Sequence, residues 1–161
     1  MEQLDRIDYE IVRQLRKNAR LSNKELAAIV GLAPSSCLVR VRGLQRDGVL
    51  RGYHADVDPD FLGVGLQAMI AIRLQLHSQA IVESFRAHTL SLPEVRQLYH
   101  VAGGNDFLVH VWVRDPEHLR NLAINSFTAR AEVAHMETGL IFEHSHNAEL
   151  PFFLDFPASE D

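Results

Sequence analysis

The chain has 161 residues, 47% of them apolar, and a formal net charge of -5. That length holds one ordinary domain or two small ones and that apolar fraction can build a core, which excludes a disordered chain. The single cysteine, Cys37, excludes an internal disulfide framework and a cysteine-based metal cluster, in keeping with a reducing cytoplasm.

The first third reads as helices. Leu4, Ile7, Ile11 and Leu15 recur at three- and four-residue intervals, which predicts a helix over residues 5–18 with one apolar face. Ser22 and Glu25 form a capping box ahead of Leu26, Ala27, Ile29 and Val30, so a second helix starts there and stops at Gly31. Pro34 suits the first turn of a third helix running through Cys37, Val41 and Leu44 to a glycine stop at Gly48. Two short helices about a glycine-bearing turn are the helix-turn-helix pattern: Ala27 is small where the next helix crosses it, and Gly31 sits where the turn needs a positive φ. With Cys37, Val41 and Leu44 turned inward, Ser35, Val39, Arg42, Gly43 and Arg46 face outward, flanked by Ser36 and Arg40. Residues 49–55 follow as a short strand or wing.

Charge divides the chain at the polar stretch around Pro59. Residues 1–58 carry 10 Lys and Arg against 8 Asp and Glu, whereas residues 59–161 carry 6 against 13. Within residues 13–51 the count is 9 basic to 2 acidic. A basic head on an acidic second half points to a polyanion partner for the head, where a helical hairpin with a merely solvated basic face is the plainer alternative.

From Leu66 the period changes to two, with Ala68, Ile70, Ile72, Leu74 and Leu76 on one side of a strand. A helix capped by Ser78 carries Ile81, Val82 and Phe85 and ends near Pro93. Residues 95–102 and 107–113 read as a hairpin about Gly103, Gly104, Asn105 and Asp106. Asp115 and Pro116 open a further helix through Leu119, Leu122, Ala123 and Phe127, and residues 135–144 close with a fourth strand. The order βαββαβ is that of the ferredoxin-like arrangement, an antiparallel sheet with both helices on one face. Met69, Ala71, Leu108, His110 and Trp112 then fall on the bare face, and a second copy of the chain is its natural cover, giving a homodimer with two reading heads. The most apolar stretch, residues 61–72, is too short to span a bilayer, and Met1, Glu2 and Gln3 do not open an export signal, so a cytoplasmic protein without a membrane partner is expected.

The residues from Leu4 to Asp8, from Arg20 to Ala27 and from Val30 to Cys37, with Arg40, Val41, Gly48, Val49 and Leu50, resemble the Lrp/AsnC family of bacterial and archaeal transcription regulators. The likeness spans residues 4–150 and includes the Gly-x-x-Asp loop at residues 103–106 and a threonine, Thr138, on the last strand. It implies an α+β chain: a winged helix-turn-helix domain over residues 1–55, a linker over 56–65, and a ferredoxin-like effector and oligomerisation domain over 66–161. It also implies sequence-specific binding of double-stranded promoter DNA through Ser35, Ser36, Val39, Arg40, Arg42 and Arg46. The effector, an amino acid, is implied at Gly103, Gly104, Asn105, Asp106 and Thr138 of a homodimer that assembles into a tetramer or octamer. Amides of Gly104 or Asn105 suit an α-carboxylate, while Asp106 either pairs with an ammonium or orders the loop.

One departure is the run His144-Ser145-His146-Asn147, where the family often has lysine or other polar residues. His144 and His146 would share a strand face, but no further ligand has suitable spacing, so no metal and no cofactor are expected. No nucleophile with a base accompanies Asp106, which speaks against an enzyme. A ligand-independent architectural protein that coats DNA is the rival reading.

Overall fold

The computed structural model describes residues 4–145 and divides into two compact units, one running to Ala55 and the other spanning Asp56–His144. In the first, α1 (Arg6–Lys17) opens at Asp5, whose carboxylate accepts from the amides of Ile7 and Asp8 at 2.8 and 2.9 Å while Asp8 returns a bond to the Asp5 amide. This reciprocal box satisfies donors that every helix start leaves orphaned. The same logic opens α2 (Asn23–Ile29), where the Ser22 amide donates to Glu25 at 2.8 Å. Gly31, at φ +69°, turns the chain so that the Leu32 amide reaches the Ala27 carbonyl at 2.9 Å, a geometry that strains any residue with a Cβ. Then α3 (Pro34–Arg46) packs Cys37 and Leu44 against Ile11, Leu15, Leu26 and Ala27, and that cluster is the whole buried core of the head.

The expected strand at residues 49–55 is absent. The amides of Val49 and Leu50 both donate to the Leu44 carbonyl, at 2.9 and 3.0 Å, so they close the end of α3 and have nothing left for a ladder. Their side chains pack against the core of the head.

In the second unit a turn of 3-10 helix, Asp60–Leu62, precedes β1 (Leu66–Leu74), α4 (Gln79–Ser91), β2 (Val95–His100), β3 (Phe107–Val113), α5 (Pro116–Leu122) and β4 (Val133–Ile141). The strands lie in the order β2-β3-β1-β4, all neighbours antiparallel. On one face Ala68, Ile70, Ile72 and Leu74 meet Phe107, Val109, Val111 and Val113 beneath Phe85, Leu119, Leu122 and Phe127 from the helices. The architecture is the expected α+β, ferredoxin-like one.

Two segments differ from the periodicity. After Leu122 the helix widens into a π turn, Ala123–Thr128, in which the Thr128 hydroxyl donates to the Ala123 carbonyl at 3.1 Å and a ring nitrogen of His88 meets the Ser126 carbonyl at 2.9 Å. Ala123 and Phe127 stay buried as the helical pattern expects, but the wider turn itself is not foreseen by a 3.6-residue reading. The last strand starts at Val133 and ends at Ile141 rather than spanning 135–144, so His144 lies beyond it; His146, expected beside it on a strand face, is outside the described residues.

No single described helix is long and apolar enough to cross a membrane.

Candidate nucleic-acid interface and effector loop

The outer face of α3 presents Ser35, Ser36, Val39, Arg42 and Arg46 to solvent, with Gly43 half-buried. Val39 is 70% exposed, which is unfavourable for an apolar side chain in water and ordinary for one that meets a groove wall. No side chain caps the start of this helix at Ala33, so its first-turn amides, beside Ser35 and Ser36, carry the positive end of the helix dipole outward.

Arg46 pairs locally with Asp47, Nε to Oδ1 at 2.8 Å, whereas Arg40 reaches another helix. The Arg40 Nη1 donates to Asp5 Oδ2 at 2.7 Å and to Asp8 Oδ1 at 2.9 Å, so the carboxylates that cap α1 also hold α3. Burial by itself raises the Asp5 carboxyl, but the Asp8 amide, the Arg40 guanidinium and the Ile7 amide outweigh it and hold the carboxyl below the usual carboxylate range. A depressed folded value gives stability that is present above the unfolded pKa of about 3.9 and lost as the pH falls through the folded one. Arg40→Ala is therefore expected to lower head stability by about 1 kcal/mol at pH 7, the upper end for a part-exposed pair. In thermal melts that deficit should shrink as the pH falls below about 4; a deficit that does not change with pH removes the ion pair from the account.

The loop between β2 and β3 is built on Asp106. Its amide donates to the Ile72 carbonyl at 2.8 Å, its carbonyl accepts from the Val101 amide at 2.9 Å, and its Oδ2 accepts from the Leu74 amide at 2.7 Å. The remaining oxygen, Oδ1, lies 2.8 Å from His77 Nε2. Of the two roles open to Asp106, ordering the loop is thus realised within the chain. Gly103, at φ +133°, lifts the loop tip, and the amides of Gly103, Gly104 and Asn105 meet no acceptor among the described residues. Thr138 stands exposed on β4 opposite Ile70, with β1 between it and the strand that carries Asp106 into the sheet, so one protomer does not bring the two together.

The face of the sheet away from the helices holds Met69, Ala71, Leu108 and Trp112, all half-buried. His110, expected there as an exposed residue, is only 6% exposed because Trp112 meets it edge-on and the His144 ring lies 5.9 Å away. Gln67 Oε1 receives the Trp112 indole N–H at 3.0 Å and lies 3.1 Å from His110 Nε2, so the imidazole carries its proton on that nitrogen and donates. Burial lowers the His110 pKa, and the neighbouring His144 and Arg96 push the same way, which favours the neutral ring. Arg96 lies flat over Trp112, 4.4 Å from the ring centre.

Comparison with known proteins joins the two halves. Residues 4–51 match the family model described as winged helix-turn-helix DNA-binding, and residues 67–148 match the Lrp/AsnC ligand binding domain. The chain belongs to the Lrp/AsnC family. It is 46% identical to the HTH-type transcriptional regulator AldR of Mycolicibacterium smegmatis, over 90% of this chain and 85% of that one. It is 36% identical to the leucine-responsive regulatory protein of Rhizobium meliloti, over 91% and 94% of the two chains. Among solved structures it superposes on a transcriptional regulator of Neisseria meningitidis in complex with L-Met with a TM-score of 0.84, at 29% identity and covering 92% of this chain and 97% of that one. Like its Lrp/AsnC relatives, the protein is a DNA-binding transcriptional regulator and not an enzyme. Among the described residues no group of three or more His, Cys, Asp or Glu side chains is placed to hold a metal.

Sequence reasoning anticipated the third helix and the loop between β2 and β3 but missed the partners of Arg40 and Asp106. Asp5 and Asp8 carried a signal, since one stands at the helix cap and the other in its first turn; His77 carried none, because its meeting with Asp106 depends on where β1 ends.

Proposed function

We propose that this regulator senses an amino acid at residues 103–106 and converts its binding into a change in promoter occupancy. The observation that carries the reading is the loop itself: three consecutive amides with no acceptor among the described residues, followed in the chain by the Asp106 carboxylate, complement the two charges of a zwitterion. L-Met accompanies the neisserial neighbour, which supports an amino acid as the ligand class here. Thr138 joins the site in this reading through the assembly of copies.

The DNA contacts we assign are Ser35, Ser36, Val39, Arg42 and Arg46, with Arg40 bracing the helix that carries them. The open sheet face pairs two chains, pairs of chains assemble further, and the domain boundaries follow the change of charge between residues 55 and 66. An effector shifts occupancy only by binding one assembly state better than another.

Fluorescence anisotropy on a promoter duplex tests both halves. Arg42→Ala and Arg46→Ala should each weaken binding and flatten the salt dependence by about one counterion. Asp106→Asn, which keeps an acceptor for the Leu74 amide, should bind DNA normally and lose its response to amino acids. Broad, ligand-indifferent footprints for the unsubstituted protein would instead favour an architectural DNA-coating role.

A further inference from the structure

We propose that His77 occupies, in the ligand-free protein, the carboxylate oxygen of Asp106 that an effector ammonium must take, so that His77 sets the threshold for effector binding. The inference rests on the effector reading given above and adds a residue that regulates the same site.

Asp106 has two oxygens with unlike duties. Oδ2 accepts the Leu74 amide at 2.7 Å and so fixes the end of β1 to the loop. Losing that bond would strand a backbone donor, so this oxygen is committed to the fold. Among the described residues Oδ1 meets only His77, at 2.8 Å. The Asp106 side chain is 17% exposed with the imidazole in place, whereas the His77 side chain is 59% exposed. The carboxylate is therefore largely shielded, while the imidazole that meets its Oδ1 stands mostly in solvent.

The covering side chain is also held by little else. His77 lies in the connection between β1 and α4, before the Ser78 cap of that helix, and in neither regular element. Among the described residues its side chain meets only Asp106, and an exposed contact of this kind is weak. A primary ammonium brings three donors to the same oxygen, and the unoccupied amides of Gly103, Gly104 and Asn105 stand ready for the carboxylate that accompanies it. A simple amine displaces His77 without gaining the amide contacts, and a simple acid meets the amides but brings no donor to Oδ1. The latch thus favours zwitterions over simple amines.

The experiment compares unsubstituted protein, His77→Ala and His77→Gln by titration calorimetry with L-methionine and, in thermal shift, with a panel of the other proteinogenic amino acids. Amide hydrogen exchange of the ligand-free proteins is measured in parallel. His77→Ala should bind the responding amino acid about twofold to fivefold more tightly, matching the loss of an exposed pair. Exchange at the amides of Leu74, Val101 and Asp106, which hydrogen bonds to and from Asp106 and Ile72 protect, should also be faster, because the loop loses a tie. His77→Gln, which retains a donor for Oδ1, should return both readouts toward those of the unsubstituted protein. If an amino acid binds all three proteins equally, or binds His77→Ala more weakly, the latch is wrong and the effector reading stands. If no amino acid binds any of them, the effector reading and the latch fall together. Unchanged exchange in His77→Ala also overturns the latch, whatever the ligand does.

Discussion

Leu108→Asp is expected to leave the chain folded, to make it monomeric, and to cut its affinity for a two-site promoter duplex by about two to four orders of magnitude. Leu108 lies on the sheet face that no helix covers, opposite Ala71 on β1 and Tyr99 on β2. Because it is half-buried and absent from the core beneath the helices, a carboxylate there stays solvated in the single chain. Against a second copy the same carboxylate would be buried in duplicate near a twofold axis, without a partner and facing its own charge. The loss in DNA affinity follows from geometry alone: a single head makes few phosphate and base contacts, and linking two raises the effective concentration of the second. Sedimentation analysis and anisotropy on the same samples check both parts. A variant that remains dimeric places the interface elsewhere, and a monomer with full affinity shows that one head suffices.

Phe127→Ala is expected to cost the second unit about 3–5 kcal/mol, the usual penalty for emptying a fully enclosed phenylalanine site. Phe127 is 0% exposed, and its ring centre lies 6.3 Å from that of Phe85, which in turn lies 4.9 Å from Phe107. Three rings from a π turn, a helix and a strand thus close the core over the sheet, and removing the outermost leaves a void that the strands cannot fill by relaxing. For a unit of this size the loss corresponds to a fall of roughly 15–30 °C in its melting temperature. Circular dichroism melts read the shift, and Phe127→Leu, closer in volume, should recover most of it. A fall of a few degrees would mean that the π turn is held by its hydrogen bonds, including that from Thr128, more than by burial.

The contrast between Phe127 and the loop at residues 103–106 shows what a linear reading can reach. Phe127 is recognisable as core because it falls on the apolar side of a helix begun by Asp115 and Pro116, yet the switch from 3.6 to a wider turn leaves no trace in residue types. Caps are local, so Asp5, Ser22, Ser78 and Asp115 announce themselves in the residues that follow, and all four do cap helices. Strand partners are not local: alternation put Gln67, His110 and Trp112 on one face, but only the register Gln67↔Trp112 and Met69↔His110 brings one amide oxygen to two ring donors. The site was legible to the same extent. Serines, arginines and a valine on one helix face can be read from periodicity, whereas the capture of Arg40 by Asp5 and of Asp106 by His77 joins residues far apart in the chain. Val49 and Leu50 taught the reverse lesson, since β-branched and apolar residues after a helix look like a strand until their amides are found on Leu44.

The account depends most on paired heads reading a defined duplex, and one selection experiment tests it. The full chain is used to enrich duplexes from a random pool, and the affinity of the enriched sequence is compared with that of an unrelated duplex at the same physiological salt. The expected outcome is a site with twofold symmetry, its half-sites one or more helical turns apart, bound at least about a thousandfold more tightly than the unrelated duplex. Enrichment of no sequence, or equal affinity for both duplexes, would contradict it.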